Sequence, residues 1–190
     1  MTPGAGRESE LQERKRWLRR EIRGKSDALT AAYREEASRR IAEQVLAAEC
    51  FRRARVIMAY ASLPNEPDTR GMIREAIREG KTVLLPRCVS PEEMVALPFD
   101  GWEDLEPGYL GVMEPRFPAE GLEIPEPELI LVPCMAASRD GRRLGHGAGY
   151  YDRFLEKRKA ETLCLCFREL IRDDIPAGPL DRRVDRVITD

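Results

Sequence analysis

Residues 55–86 limit the fold more than any other stretch of the chain. Arg55-Val56-Ile57-Met58-Ala59-Tyr60 is a short, nearly continuous apolar run of strand length. A loop, Ser62 to Pro67, follows it. Asp68 or Thr69 then stands where a helix wants its N-cap, and Met72, Ile73, Ala76 and Ile77 fall on one inward helical face ending at Glu79. Gly80 supplies a C-terminal stop, and Lys81 to Pro86 reads as the next strand. Strand, loop, helix and strand in that order predict a parallel pair, because a helical crossover returns the chain to the same edge in the same direction. Parallel strands need cover on both faces. The expected fold is therefore an α/β three-layer sandwich, a mostly parallel mixed sheet flanked by helices on both faces.

The remaining segments fit that frame. A first helix is expected from about Glu8 to Arg23, ended by Gly24, with residues 1–6 a flexible tail. A second helix, capped by Ser26, Asp27 or Thr30, carries Tyr33, Ala37, Ile41, Val45 and Ala48 at helical spacing and ends near Glu49. Met94 to Phe99 reads as a strand. Asp100 to Pro127 is rich in Pro and Gly and reads as turns, with a short strand around Tyr109. Further strands are expected at Leu129–Val132, Glu161–Phe167 and Val184–Thr189, with a helix from Tyr150 to about Lys159. All 190 residues make one domain.

Composition excludes several classes of function. The 32 basic and 34 acidic side chains nearly cancel, leaving −2, so the whole chain is no polyanion binder and no nucleic-acid partner is expected. Five scattered cysteines without a C-x-x-C spacing, and a single histidine, argue against a structural zinc site and for reduced thiols in the cytoplasm. No stretch has the length of a membrane span, and no secretory signal pattern opens the chain.

The chemistry concentrates at Arg142-Arg143-Leu144-Gly145-His146-Gly147-Ala148-Gly149-Tyr150-Tyr151-Asp152-Arg153. Three alternate glycines lie between a strand and a helix. Such a turn lets backbone N–H groups approach an anion at the helix start, and the arginines add bidentate phosphate donors. It lacks the Gly-Lys-Ser/Thr of a Walker loop and the spacing of a dinucleotide fingerprint. On spacing alone it reads equally as a tight turn. Asp152 reads equally as a Mg²⁺ ligand or as a first-turn acid that complements the helix dipole.

These residues resemble the signature of the 5-formyltetrahydrofolate cyclo-ligase family, and the likeness covers almost the whole chain. Lys15-x-x-x-Arg19 resembles that family's N-terminal nucleotide-contacting pair. Tyr60-Ala61-Ser62 through Asn65-Glu66-Pro67-Asp68-Thr69 resembles its substrate loop. Asp104-Leu105, Gly108 to Gly111, Glu114-Pro115, Leu129 to Pro133 and Asp181 to Thr189 match further segments in order. The resemblance implies an ATP- and Mg²⁺-dependent enzyme that cyclises 5-formyltetrahydrofolate to 5,10-methenyltetrahydrofolate and works as a monomer. It implies nucleotide contacts from Lys15, Arg19, Arg143, Leu144, Gly145, His146, Gly147, Ala148, Gly149, Tyr150 and Asp152. Arg143 and Asp152 would be catalytic, Asp152 would hold the metal, and Glu66 and Tyr151 would touch the reduced folate. The same fold binding nucleotide or folate without turnover is the competing reading. Cys134 is a weak candidate nucleophile, with only His146 available as its base. Trp17 and Trp102 are candidate stacking surfaces, Trp17 more as an anchor of the first helix.

Overall fold

The computed structural model describes residues 3–108 and 111–190, with side chains from residue 6 onward. The strand expected around Tyr109 falls on residues 109–110, outside the described residues. Of the expected flexible tail, residues 1–2 lie outside as well, whereas Pro3 to Gly6 are helical. Helix α1 runs Pro3–Asp27. It passes through Gly24, which the sequence marks as its end. Leu18, Ile22 and Ser26 are buried against the body, and that docking outweighs the cost of about 1 kcal/mol that an internal glycine carries. The buried stripe leaves Trp17 aside. At 55 % exposed it does not anchor the helix, contrary to expectation.

Helix α2 spans Ala31–Ala47, capped by Thr30, whose hydroxyl accepts the Tyr33 N–H at 3.1 Å. Ala48 breaks it, and a short α3, Glu49–Arg53, leads into β1, Val56–Met58. Helix α4, Arg70–Arg78, is capped from Asp68, whose carboxylate accepts the Arg70 N–H at 2.9 Å. Met72, Ile73 and Ala76 are buried on it, but Ile77 is exposed, one position off the inward face assigned to it. Strand β2, Thr82–Cys88, pairs parallel with β1, as the crossover requires. Strand β3, Met94–Pro98, turns back antiparallel along β2. A small hairpin, β4 Leu105–Pro107 with β5 Met113–Pro115, interrupts the expected run of turns.

Strand β6, Leu129–Val132, returns to the centre of the sheet beside β1. A second hairpin, β7 Ala136–Ala137 with β8 Arg143–Leu144, precedes α5, Tyr150–Glu156. Strands β9, Glu161–Leu165, and β10, Arg186–Ile188, complete the edge. The sheet order is β10-β9-β6-β1-β2-β3, parallel except for β3. From β1 the chain steps through α4 to β2; from the adjacent β6 it steps through α5 to β9, the opposite way. Right-handed crossovers then set α4 and α5 on opposite faces, which is the expected three-layer plan. Because the connections leaving these two paired central strands run in opposite directions, the switch-point crevice of an open α/β sheet lies beyond the carboxyl ends of β1 and β6. Open α/β sheets bind ligands at such a switch point.

One turn holds the wall of that crevice. Gly141 has φ +87°, and a Cβ there would lie 2.3 Å from the Val184 carbonyl oxygen, which is backbone and cannot swing aside. Gly141 also accepts the Val184 N–H at 3.0 Å. Gly141→Ala is expected to destabilise the protein by about 3 kcal/mol, summing left-handed strain and overpacking. Urea unfolding followed by circular dichroism measures it, and a loss below about 1 kcal/mol would contradict this geometry.

Candidate active site at the diverging strands

The loop after β1 is fixed before any ligand arrives. Thr69 Oγ1 donates to the Tyr60 carbonyl at 2.5 Å, and the Asp68 N–H donates to Ser38 Oγ on α2 at 3.0 Å. Within that frame Glu66 turns inward. Its side chain is 6 % exposed, and Oε2 accepts the Leu63 N–H at 2.9 Å. Oε1 lies 3.5 Å from Nε2 of His146. His146 belongs to the glycine loop, so the loops from the two diverging strands meet here.

Arg143 sits on β8 rather than in the turn. Its neighbour Leu144 is buried, and the Leu144 carbonyl accepts the Met135 N–H, so that residue serves the hairpin. The Arg143 side chain is 5 % exposed and donates through Nη2 to Asp152 Oδ1 at 2.9 Å. Its Cζ lies 5.9 Å from the Tyr151 ring centroid, and its Nε has no hydrogen-bond partner among the described residues. A buried guanidinium with an unspent donor is poised for an anion. Asp152 Oδ1 also accepts the Arg182 N–H at 2.9 Å.

The glycine loop requires its glycines at two points. Gly147 has φ +113° with the Arg19 guanidinium packed against it, and Gly149 has φ +72° at the start of α5. Gly145, His146 and Ala148 complete the turn, with Tyr150 entering the helix and donating its hydroxyl to the Ser90 carbonyl at 2.9 Å. Helix α5 is two turns long, shorter than the expected 150–159, so its dipole adds little. Positive charge at the loop comes instead from Arg143 and from Arg19, whose Nε donates to the Gly145 carbonyl at 2.8 Å. Burial lowers the Arg19 pKa from its usual value, and Asp181 opposes that shift.

Arg19 thus reaches the glycine loop, while Lys15, one turn before it on α1, turns to Asp181, whose charge also acts on Arg19. Lys15 is nearly buried and ion-paired with Asp181 at 2.5 Å. Asp181 is a member of the site that the sequence does not flag, because its partner stands 166 positions away. Arg142 and Arg153, read from sequence as phosphate donors, are spent elsewhere. Arg142 pairs with Asp140 and donates to the Ile175 and Asp173 carbonyls; Arg153 donates to the Glu92 and Ala148 carbonyls.

Tyr151 is the second residue of α5. It lies by Arg143, and its hydroxyl pKa is pushed far up, chiefly by burial and then by the Glu66 carboxylate. Cys134 is no nucleophile here. Hydrogen bonding with Cys164 and Cys166, then burial, push its thiol well above the usual range, while His146 faces Glu66. Trp102 packs against Phe99, with centroids 5.0 Å apart, and under Arg70. Among the described residues no three His, Cys, Asp or Glu side chains gather as a metal cage. A lone Asp152 with both its bonds on Oδ1 suits a Mg²⁺ that arrives on phosphate oxygens and keeps its waters. Among the described residues no helix is long and apolar enough to cross a membrane.

Comparison with known proteins bears on the family and the fold. Residues 11–190 match the model of the 5-formyltetrahydrofolate cyclo-ligase family. A mouse 5-formyltetrahydrofolate cyclo-ligase is 31 % identical over 92 % of both chains, and one from Mycolicibacterium smegmatis is 34 % identical over 71 % of this chain and 73 % of its own. The solved 5,10-methenyltetrahydrofolate synthetase of Aquifex aeolicus superposes with a TM-score of 0.79 at 26 % identity, covering 92 % of this chain and 88 % of its own.

Proposed function

The chain belongs to the 5-formyltetrahydrofolate cyclo-ligase family, and on that premise we propose that it closes the ring of 5-formyltetrahydrofolate to give 5,10-methenyltetrahydrofolate, consuming ATP with Mg²⁺. One observation supports this reading above the others. His146 of the glycine loop lies 3.5 Å from the Glu66 carboxylate, and the same loop adjoins the Arg143–Asp152 pair, so an anion-binding half and a carboxylate-bearing half share one crevice.

The formyl oxygen is a poor leaving group. The γ-phosphoryl group of ATP passes to it, ADP departs, and N10 of the folate attacks the activated formyl carbon. The C–O bond then breaks, phosphate leaves, and N10 loses its proton. The protein's share is placement and charge. Arg143 offers its unspent N–H to the group in transfer. The amides of residues 145–149, with Lys15 and Arg19 behind them, hold the phosphates. Asp152 would hold the Mg²⁺, which supplies neutralising charge to the phosphate oxygens. Glu66 accepts from N–H groups of the pterin ring, and Tyr151 forms the wall beside it. In this reading the protein acts as a monomer in the cytoplasm, without nucleic-acid or membrane partners.

The test mixes purified protein, 5-formyltetrahydrofolate and Mg-ATP and follows the near-ultraviolet absorbance of the conjugated methenyl product. An ATP-dependent rise is expected. Tight binding of ATP or folate without any rise would instead identify a non-catalytic binding module of the same fold.

A further inference from the structure

Helix α1 carries Lys15 and Arg19, and apolar packing alone does not fix how it sits. Its buried apolar side chains among the described residues are Leu18 and Ile22. Such burial is non-directional and tolerates a small slide or roll of the helix. A roll of α1 would carry the Arg19 guanidinium off the glycine loop. A directional tie stands two residues past Arg19. Glu21 Oε1 accepts from Nη1 of Arg172 at 2.5 Å, across 151 positions of sequence. Lys25 approaches the same oxygen only to 3.9 Å and belongs to α1 itself, so it fastens the helix to nothing.

Arg172 is held in turn at the hairpin that places Arg143. Its backbone N–H donates to the Ala137 carbonyl at 2.9 Å, and Ile171 forms a bridge to Ala137. Ala137 is the residue that pairs with Arg143 between β7 and β8. Arg142, just before Arg143, donates to the Asp173 and Ile175 carbonyls at 2.9 and 2.8 Å. Asp174 accepts from Nε and Nη2 of Arg172 at 2.9 and 2.8 Å, which fixes the plane of the guanidinium. Residues 171–175 therefore form a bracket. It is fastened to the strands around Arg143 and reaches across to the helix that presents Arg19. The ties at Lys15 and Arg19 themselves run to Asp181 and to the Gly145 carbonyl. In the function proposed above both cations turn to phosphate, and those ties are given up. The Glu21–Arg172 pair is not. Arg34 on α2 also holds α1, at the Ser26 carbonyl, but that point lies about 10 Å along the axis from Arg19. We propose that Arg172, acting through Glu21, is a positioning residue for ATP that sets Lys15 and Arg19 on α1 against Arg143 on β8. This inference rests on the nucleotide reading of those three residues.

Glu21→Met in the full chain tests it. Methionine keeps the length and helix propensity of glutamate, and Arg172 keeps Asp174 as its partner, so folding should survive. Mg-ATP should weaken about tenfold, both in KM and in the Kd read by calorimetry, because displacements near 1 Å are enough to spoil such contacts. The KM for 5-formyltetrahydrofolate should stay within about twofold and kcat within about threefold. Arg172→Met should weaken ATP to the same degree, and the double variant no further, since both changes cut one tie. Glu21→Gln keeps an oxygen that can accept from Arg172 and should hold ATP within about threefold. A purely structural pair would lower the melting temperature and leave the ATP affinity of the folded protein unchanged, which would overturn the proposal. So would a joint rise in both KM values, or equal losses in Glu21→Gln and Glu21→Met. A wild type that binds Mg-ATP without turnover overturns the cyclo-ligase reading alone, and calorimetry then still decides the role of Arg172. A wild type that binds no ATP overturns both.

Discussion

Replacing Arg143 with Ala is expected to lower kcat about a thousandfold and to raise the KM for ATP far less. The guanidinium is nearly buried, tied on one side to Asp152 and left with an unpartnered Nε. In the proposed mechanism its unspent donor is the part that meets charge developing on the phosphoryl group. Such a donor acts mainly in the transition state, so its loss appears in kcat. Arg143→Lys should recover little, because an ammonium cannot hold Asp152 and serve a phosphoryl oxygen in the same fork geometry. Folding should survive either change, since Asp152 keeps the Arg182 N–H. Steady-state kinetics with both substrates varied, alongside melting curves, would check this. A fall in kcat of less than about tenfold would remove Arg143 from the chemistry.

The parts of this fold legible in sequence are those whose physics is local. The β1–α4–β2 unit showed through because Asp68 caps α4, Gly80 ends it at φ +75°, and apolar runs flank both. Helix α1 runs past both ends that the sequence marks, and at its C-terminal end tertiary docking of Ile22 and Ser26 carries it through Gly24. The β7–β8 hairpin was not legible. Two strands of two residues each have no period to detect, yet they place Arg143. The candidate site divides along the same line. Its glycine loop and Glu66 stand in recognisable local patterns. The partners that tune them do not, because Asp181 under Lys15, Arg182 against Asp152 and His146 beside Glu66 are joined only by the folded chain. Arg142 and Arg153 show the converse error. Arginines near a glycine loop looked like phosphate donors, and the structure uses them to bind carbonyls of neighbouring loops.

Glu66→Gln should give the second large effect, a rise of up to about a hundredfold in the KM for 5-formyltetrahydrofolate. The amide keeps the size of the carboxylate, and its oxygen can still accept the Leu63 N–H that shapes the loop. Lost are the negative charge and one acceptor, which becomes an NH₂ donor facing the ring's own N–H. A charge-assisted bond is thereby exchanged for a donor–donor clash, a larger penalty than the loss of one neutral bond. The KM for ATP should hardly move, because Glu66 lies in the other half of the crevice. His146 offers a control. It approaches Oε1 only to 3.5 Å and is itself 44 % exposed, so His146→Gln should raise the folate KM by no more than about threefold. Equal effects from the two substitutions would mean that the histidine, not the carboxylate alone, reads the ring. An unchanged folate KM in Glu66→Gln would move the folate away from this loop.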